Sequence, residues 1–204
     1  MAVGQREERR AELAEAATRA IRRAGPGVSM EEMAREAGIT KPILYRHFGD
    51  KAGLCRAIAE RCAARLSEEL DITRGADPDP PHEMRRAIDA YLAFVERDAA
   101  VHRFLSLQTG FEGREVARAL DAFAGRLAAR IAANYRDRLV AAGRDPAAAQ
   151  PWAHGVIGMV TAAASWWEDA GGAAGGMSRQ QLTDHLVDLI WNGYSAVVEG
   201  GPRS

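Results

Sequence analysis

Lysine is almost missing from this chain of 204 residues: Lys41 and Lys51 are the only two among its 27 lysines and arginines. Arginine carries the positive charge elsewhere, and both lysines fall in one short stretch, Thr40 to Lys51. Cysteine is as scarce, with only Cys55 and Cys62. On one expected helix, at ~1.5 Å rise per residue, their α-carbons stand about 10 Å apart, too far for a disulfide. Reduced thiols filling the core of a cytoplasmic protein are the simpler reading; a redox sensor is the alternative. Long apolar runs are missing too. The most apolar stretch, Trp152 to Trp167 with His154 taken as neutral, falls short of the roughly 20 residues of a membrane span. Met1 to Arg10 are charged and lack an apolar stretch, so no secretory signal is expected. No sustained period-2 alternation marks a sheet. No His-x-x-x-His pair or nucleophile motif appears, although His82, His102, His154 and His185 have acids nearby; no metal and no cofactor are expected. A net charge of -1 excludes a wholly basic coat protein for nucleic acid, but not DNA binding by one part of the chain.

What is present is helical. Hydrophobic residues make up 47% and charged residues 27%, the balance of a soluble globular protein long enough to bury a core without staples. Residues 1–70 hold 13 lysines and arginines against 11 acids, and the rest 14 against 17, a slight basic lean at the start. Leu13, Ala17, Ala20, Ile21 and Ala24 line one face of a first helix, stopped by Gly25-Pro26-Gly27. Ser29 with Glu32 forms a capping box for a short helix that buries Met30, Met33, Ala34 and Ala37. Gly38 supplies a turn, and Thr40 is a plausible N-cap for a third helix. Asp50 caps a fourth, with Leu54, Ile58, Cys62 and Leu66 on one face.

Three short helices with a glycine turn before the third fit a helix-turn-helix. Ala34 and Ala37 allow close approach, Leu44 and Phe48 anchor the third helix, and the outward side chains reach a major groove. Lys41 bonds guanine acceptors or a phosphate, and Arg46 suits a bidentate pair with guanine. Pro42 lacks only a donor that the first turn leaves unpaired anyway, and its ring can touch a thymine methyl. Tyr45 and His47 suit phosphates, and Lys51 grips one more at the start of the fourth helix. Arg46 or Lys51 alone would be an ordinary solvated charge; the ordered set points to DNA.

Residues 9–66 resemble the DNA-binding domain of TetR-family transcriptional regulators. Met33-Ala34, Ala37-Gly38-Ile39, Leu44-Tyr45, His47-Phe48, Lys51 and Leu54 carry the resemblance, over roughly the first third of the chain. It implies an all-α homodimer: an N-terminal three-helix DNA-binding domain with a helix-turn-helix, then a larger helical ligand-binding and dimerisation domain. The expected bounds are 6–66 and 67–200. The DNA-binding set is Ser29, Thr40, Lys41, Pro42, Ile43, Tyr45, Arg46, His47 and Lys51, with Lys51 as phosphate clamp. Two positions depart from the pattern. Ile43 stands where the family often has a small or hydroxyl residue, and Glu31 where some members read a base.

Beyond a linker at Arg74 to Pro81 the same periodicity continues. Met84, Ile88, Tyr91 and Val95 mark a fifth helix, 99–107 a sixth, and Val116, Leu120, Phe123, Leu127 and Ile131 a long seventh over 115–142. A break covers 143–151, and the last two helices run over 152–169 and 178–198. Both are apolar over much of their circumference and need cover on two sides, which a four-helix dimer interface would supply; a monomer with both helices central is the alternative. The interface set is Gly155, Gly158, Ala162, Ser165, Trp166, Leu182, Leu186, Leu189 and Gly193. Trp166-Trp167 serves either interface or pocket. The apolar pocket set is Tyr91, Phe94, Phe104, Leu107, Phe111, Phe123, Leu127 and Trp152, residues that would equally serve as core; the resemblance implies a small hydrophobic effector. The function expected is a homodimeric repressor released from a palindromic operator by that effector, with an activator, a ligand-independent regulator or an enzyme as alternatives.

Overall fold

The computed structural model describes residues 2–69, 79–108 and 114–199, without the side chains of 2, 3, 108, 114–123 and 194–199. Every regular element among them is helical: α1 (Ala2–Ala24), α2 (Met30–Glu36), α3 (Lys41–Phe48), α4 (Lys51–Glu69), α5 (Pro80–Arg97), α6 (Ala99–Gln108), α7 (Arg114–Ala141), α8 (Ala149–Asp169) and α9 (Arg179–Glu199), with two short 3₁₀ turns. The chain divides into two units, 1–65 with 98–122, and 66–97 with 123–204. Most of the expected linker, and the side chains of Phe111, Val116, Leu120 and Phe123, lie outside the described residues.

In the first unit α1 supplies Leu13, Ala17, Ala20 and Ile21 to a core shared with α2, α3, α4 and α6. Ala24 is exposed, contrary to expectation. The helix ends there, and Gly25, bonded to the Ile21 carbonyl at 2.8 Å, turns the chain away. The capping box on α2 forms as its sequence dictates. Ser29 Oγ accepts from Glu32 N–H at 3.2 Å, and the Glu32 carboxylate accepts from Ser29 N–H at 2.8 Å. These bonds from the Ser29 backbone and hydroxyl hold the Glu32 carboxyl below its usual range.

Gly38 ends α2 with φ +67°. Its N–H bonds the Arg35 carbonyl at 3.1 Å, and Ile39 N–H reaches back to Ala34 at 3.0 Å. That pair of bonds needs a left-handed residue between helix and exit, which glycine adopts without steric cost. Helix α6 adds Val101, Phe104 and Leu105 to the same core. At its start Asp98 accepts from Arg22 Nε at 2.6 Å. Glu15 joins α1 to α4 by accepting from Arg61 at 2.9 Å and Arg65 at 2.6 Å.

In the second unit α5 runs along α9. Ile88, Leu92 and Val95 are buried on α5, and Leu182, Leu186 and Ile190 on α9. Arg179 bridges Asp89 at 2.8 Å and Glu96 at 2.9 Å, and Arg85 pairs with Asp184. Ala128, Ala132, Tyr135 and Leu139 of α7 pack with Ala149 and Ala153 of α8, small residues that let the two helices approach closely. The break before α8 is shorter than its sequence suggested. Asp145 accepts from Ala147 N–H at 2.9 Å and starts a 3₁₀ turn that leads into α8 at Ala149. Pro151 thus lies in the first turn of α8, where no intrahelical partner is required of its nitrogen.

Candidate nucleic-acid interface

Helix α3 has eight residues, and the spacing of its two apolar anchors decides which way it faces. Leu44 and Phe48, four apart, are buried in the first unit's core. Lys41, Pro42 and Arg46 are consequently exposed, while Ile43, Tyr45 and His47 are half-buried along the flanks. Thr40 occupies the N-cap position with extended backbone, φ -90° and ψ 156°, but its side chain makes no capping bond. The Lys41 ammonium lies 5.9 Å from the centre of the Tyr45 ring, a cation–π distance that steadies a long flexible side chain at the helix start. Ser29 is exposed, with its hydroxyl engaged in the α2 cap.

The α3–α4 junction brings Lys51 next to this face. Asp50 Oδ1 accepts from Gly53 N–H at 2.7 Å and caps α4, as its sequence position indicates. Lys51 is the first residue of α4 and is exposed. Gly53 is not among the residues that the sequence pattern singles out. A Cβ there would stand 2.1 Å from the Phe48 carbonyl oxygen, so only glycine lets α4 start against the end of α3. Its signal was a glycine inside a helical pattern with no turn to explain it.

Arginines of α1 also reach this region. Burial first, then the charges of Arg46, Arg9, Arg6 and Arg10, push the His47 imidazole below its ordinary value. Arg10 donates to the His47 carbonyl at 2.6 Å, and its guanidinium lies 4.8 Å from the centre of the Phe48 ring. Arg9 is paired with Glu12 at 2.7 Å. Local sequence pattern gives no hint of these neighbours, because α1 and α3 meet only in the folded chain.

The expected pocket set is scattered. Phe104 is buried in the first unit's core. Leu107 is 64% exposed and lines no interior. Phe94 is buried, and Tyr91, Leu127 and Trp152 are half-buried, all in the second unit. Burial and the Glu168 carboxylate push the Tyr91 phenol up to about 12. Trp152 meets Tyr135 edge-on with ring centres 6.3 Å apart. The expected interface set divides in two. Gly155, Gly158, Ala162, Ser165 and Gly193 are exposed, as are Trp166 at 58%, Leu189 at 62% and Met159 at 40%. Leu182 and Leu186 are buried within the chain itself, since their side of α9 is the one already covered. Trp167 is buried, its Nε1 donating to the Met177 carbonyl at 2.7 Å, so only Trp166 of that pair faces outward. Among the described residues no helix is long and apolar enough to cross a membrane.

A helix-turn-helix that offers an exposed polar face, among described residues whose regular elements are all helices, is the arrangement of a DNA-binding transcriptional regulator. Residues 13–61 match the tetR family of bacterial regulatory proteins, and residues 69–203 match a tetracyclin repressor-like C-terminal domain. An uncharacterised HTH-type transcriptional regulator of Mycobacterium tuberculosis (strain H37Rv) is 32% identical over 196 residues, 95% of this chain and 80% of that one. The HTH-type transcriptional activator FasR of Mycolicibacterium smegmatis is 32% identical over 49% of this chain and 46% of its own. A TetR-family transcriptional regulator of Streptomyces coelicolor shares the fold with a TM-score of 0.74 at 22% identity, covering 96% of this chain and 84% of that one. The chain belongs to the TetR family.

Proposed function

We propose that this regulator is a homodimeric cytoplasmic repressor that leaves a palindromic operator when a small hydrophobic effector binds. The observation that carries the reading is the outward face of α3. Lys41, Pro42 and Arg46 are exposed together on a helix held from behind by Leu44 and Phe48, with Lys51 at the start of the next helix. Arg46 and Lys41 read base edges, Tyr45, His47, Thr40 and Lys51 hold phosphates, and Ile43 makes an apolar contact. Ser29 contributes through the α2 cap. The exposed apolar residues of α8 and α9, Met159, Trp166 and Leu189, support self-association. Tyr91, Phe94, Leu127 and Trp152 are the effector-facing set that remains, largely apolar, as such a pocket requires. To lower DNA occupancy 100-fold, an effector must favour the DNA-incompetent state by roughly 2.7 kcal/mol.

Replacing Arg46 or Lys41 by alanine lowers operator affinity by about 1–3 kcal/mol for each base pair read and leaves the helical content intact. A gel-shift titration on a duplex selected from a random pool by the wild-type protein tests this. Unchanged affinity in both variants excludes α3 as the reading helix. A second reading, activation, is favoured by the match to FasR, which is named an activator. Deleting the gene separates the two, because the target of a repressor rises and that of an activator falls.

A further inference from the structure

The geometry points to Arg10 as a positioning residue for DNA recognition, a brace that fixes the C-terminal end of α3 from α1. This rests on the reading of α3 as the DNA-reading helix. An eight-residue helix leaves its last four carbonyls without intrahelical partners. Gly49 N–H takes that of Tyr45 at 2.6 Å, and Arg10 takes that of His47 at 2.6 Å. A cation is favourable there, because the aligned peptide dipoles leave partial negative charge at a helix C-terminus. The same guanidinium lies over the ring of Phe48, 4.8 Å from its centre. One side chain thus holds both the backbone and the buried anchor of the last turn of α3. Its base is rigid, since Leu13 and Ala14, three and four residues further along α1, are buried in the core.

The consequence concerns base reading rather than affinity in general. A bidentate contact from Arg46 depends on the pitch of α3 in the groove, and base contacts carry the sequence preference, whereas phosphate contacts carry none directly. A planar fork that donates and stacks at once is a property of arginine; lysine supplies the charge without that geometry.

Arg10→Met and Arg10→Lys in the full chain test the brace. The probes are the duplex selected by the wild-type protein and the same duplex with its sequence scrambled, with Arg46→Ala as reference. Arg10→Met is expected to lower the selected-to-scrambled affinity ratio about tenfold, with scrambled-duplex affinity and melting temperature near those of the wild type. Arg10→Lys is expected to recover only part of the ratio. An unchanged ratio in Arg10→Met overturns the proposal. So does an equal loss on both duplexes: with a salt slope reduced by about one it makes Arg10 a direct phosphate contact, and with a lowered melting temperature it makes Arg10 merely structural. If Arg46→Ala also leaves the ratio unchanged, the failure lies in the assignment of α3 and not in the brace.

Discussion

At the scale of single residues, the scarce side chains turn out to have separate surroundings. Lys41 lies over an aromatic ring at the start of α3, and Lys51 opens α4. At Lys51 a compact, rotatable ammonium suits a phosphate approached from varying angles, whereas the planar fork at Arg46 suits a base edge. The cysteines differ from both. Burial is the main cause that pushes each thiol up to about 11, with Asp50 adding to it at Cys55 and Asp98 at Cys62. Near pH 8 only about one thiol in a thousand is then ionised, and thiolate is the reactive form. The folded protein is therefore expected to react slowly with an aromatic disulfide reagent, and the protein unfolded in guanidinium rapidly at both sites. Fast labelling of the native protein would revive the redox-sensor reading.

At the scale of elements, two junctions tie the helices of the first unit together. The first is α3 to α4 at Gly53. Gly53→Ala forces a Cβ against a backbone carbonyl that no rotamer change can move away. A stability loss of about 1–3 kcal/mol is expected in urea unfolding, despite the better helix propensity of alanine; wild-type stability would mean that the two helices do not meet so closely. The second is α1 to α4 at Glu15. Burial works against its ionised form, yet the hydrogen bond from Arg61 and the charges of Arg65, Arg61 and Arg22 hold its carboxyl below the usual range. A depressed folded-state value means stability that is present above the unfolded value and lost as pH falls through the folded one. Glu15→Gln should therefore be less stable than wild type near pH 7, with the gap closing in acid; a gap independent of pH would show that charge is not its source. Helices and caps were legible in the sequence, because periodicity, Ser29 with Glu32, and Asp50 are local signals. Arg10, Glu15 and Gly53 were not, because their partners lie 37, 46 and 50, and five residues away and become neighbours only through packing. Ala24 and Pro151 misled for a related reason, since periodicity does not say where a helix ends.

At the scale of the whole molecule, α8 and α9 each have one covered and one open side. Apolar spacing alone does not tell which is which: Leu182, Leu186 and Leu189 share one pattern, although only Leu189 faces outward. Trp166 and Met159 of α8 and Leu189 of α9 are exposed apolar residues, and the proposed second copy would cover them. A dimer built there presents two α3 helices, and a palindromic operator then requires them in successive major grooves about 34–36 Å apart. The most direct measurement is hydroxyl-radical footprinting on the selected duplex, with wild-type protein and the interface variant Leu189→Glu side by side. The wild type is expected to protect two patches one helical turn, or a whole number of turns, apart, and Leu189→Glu to lose both together at the same concentration. A single protected patch, or two that persist unchanged in the variant, would contradict a dimer that reads DNA through paired recognition helices.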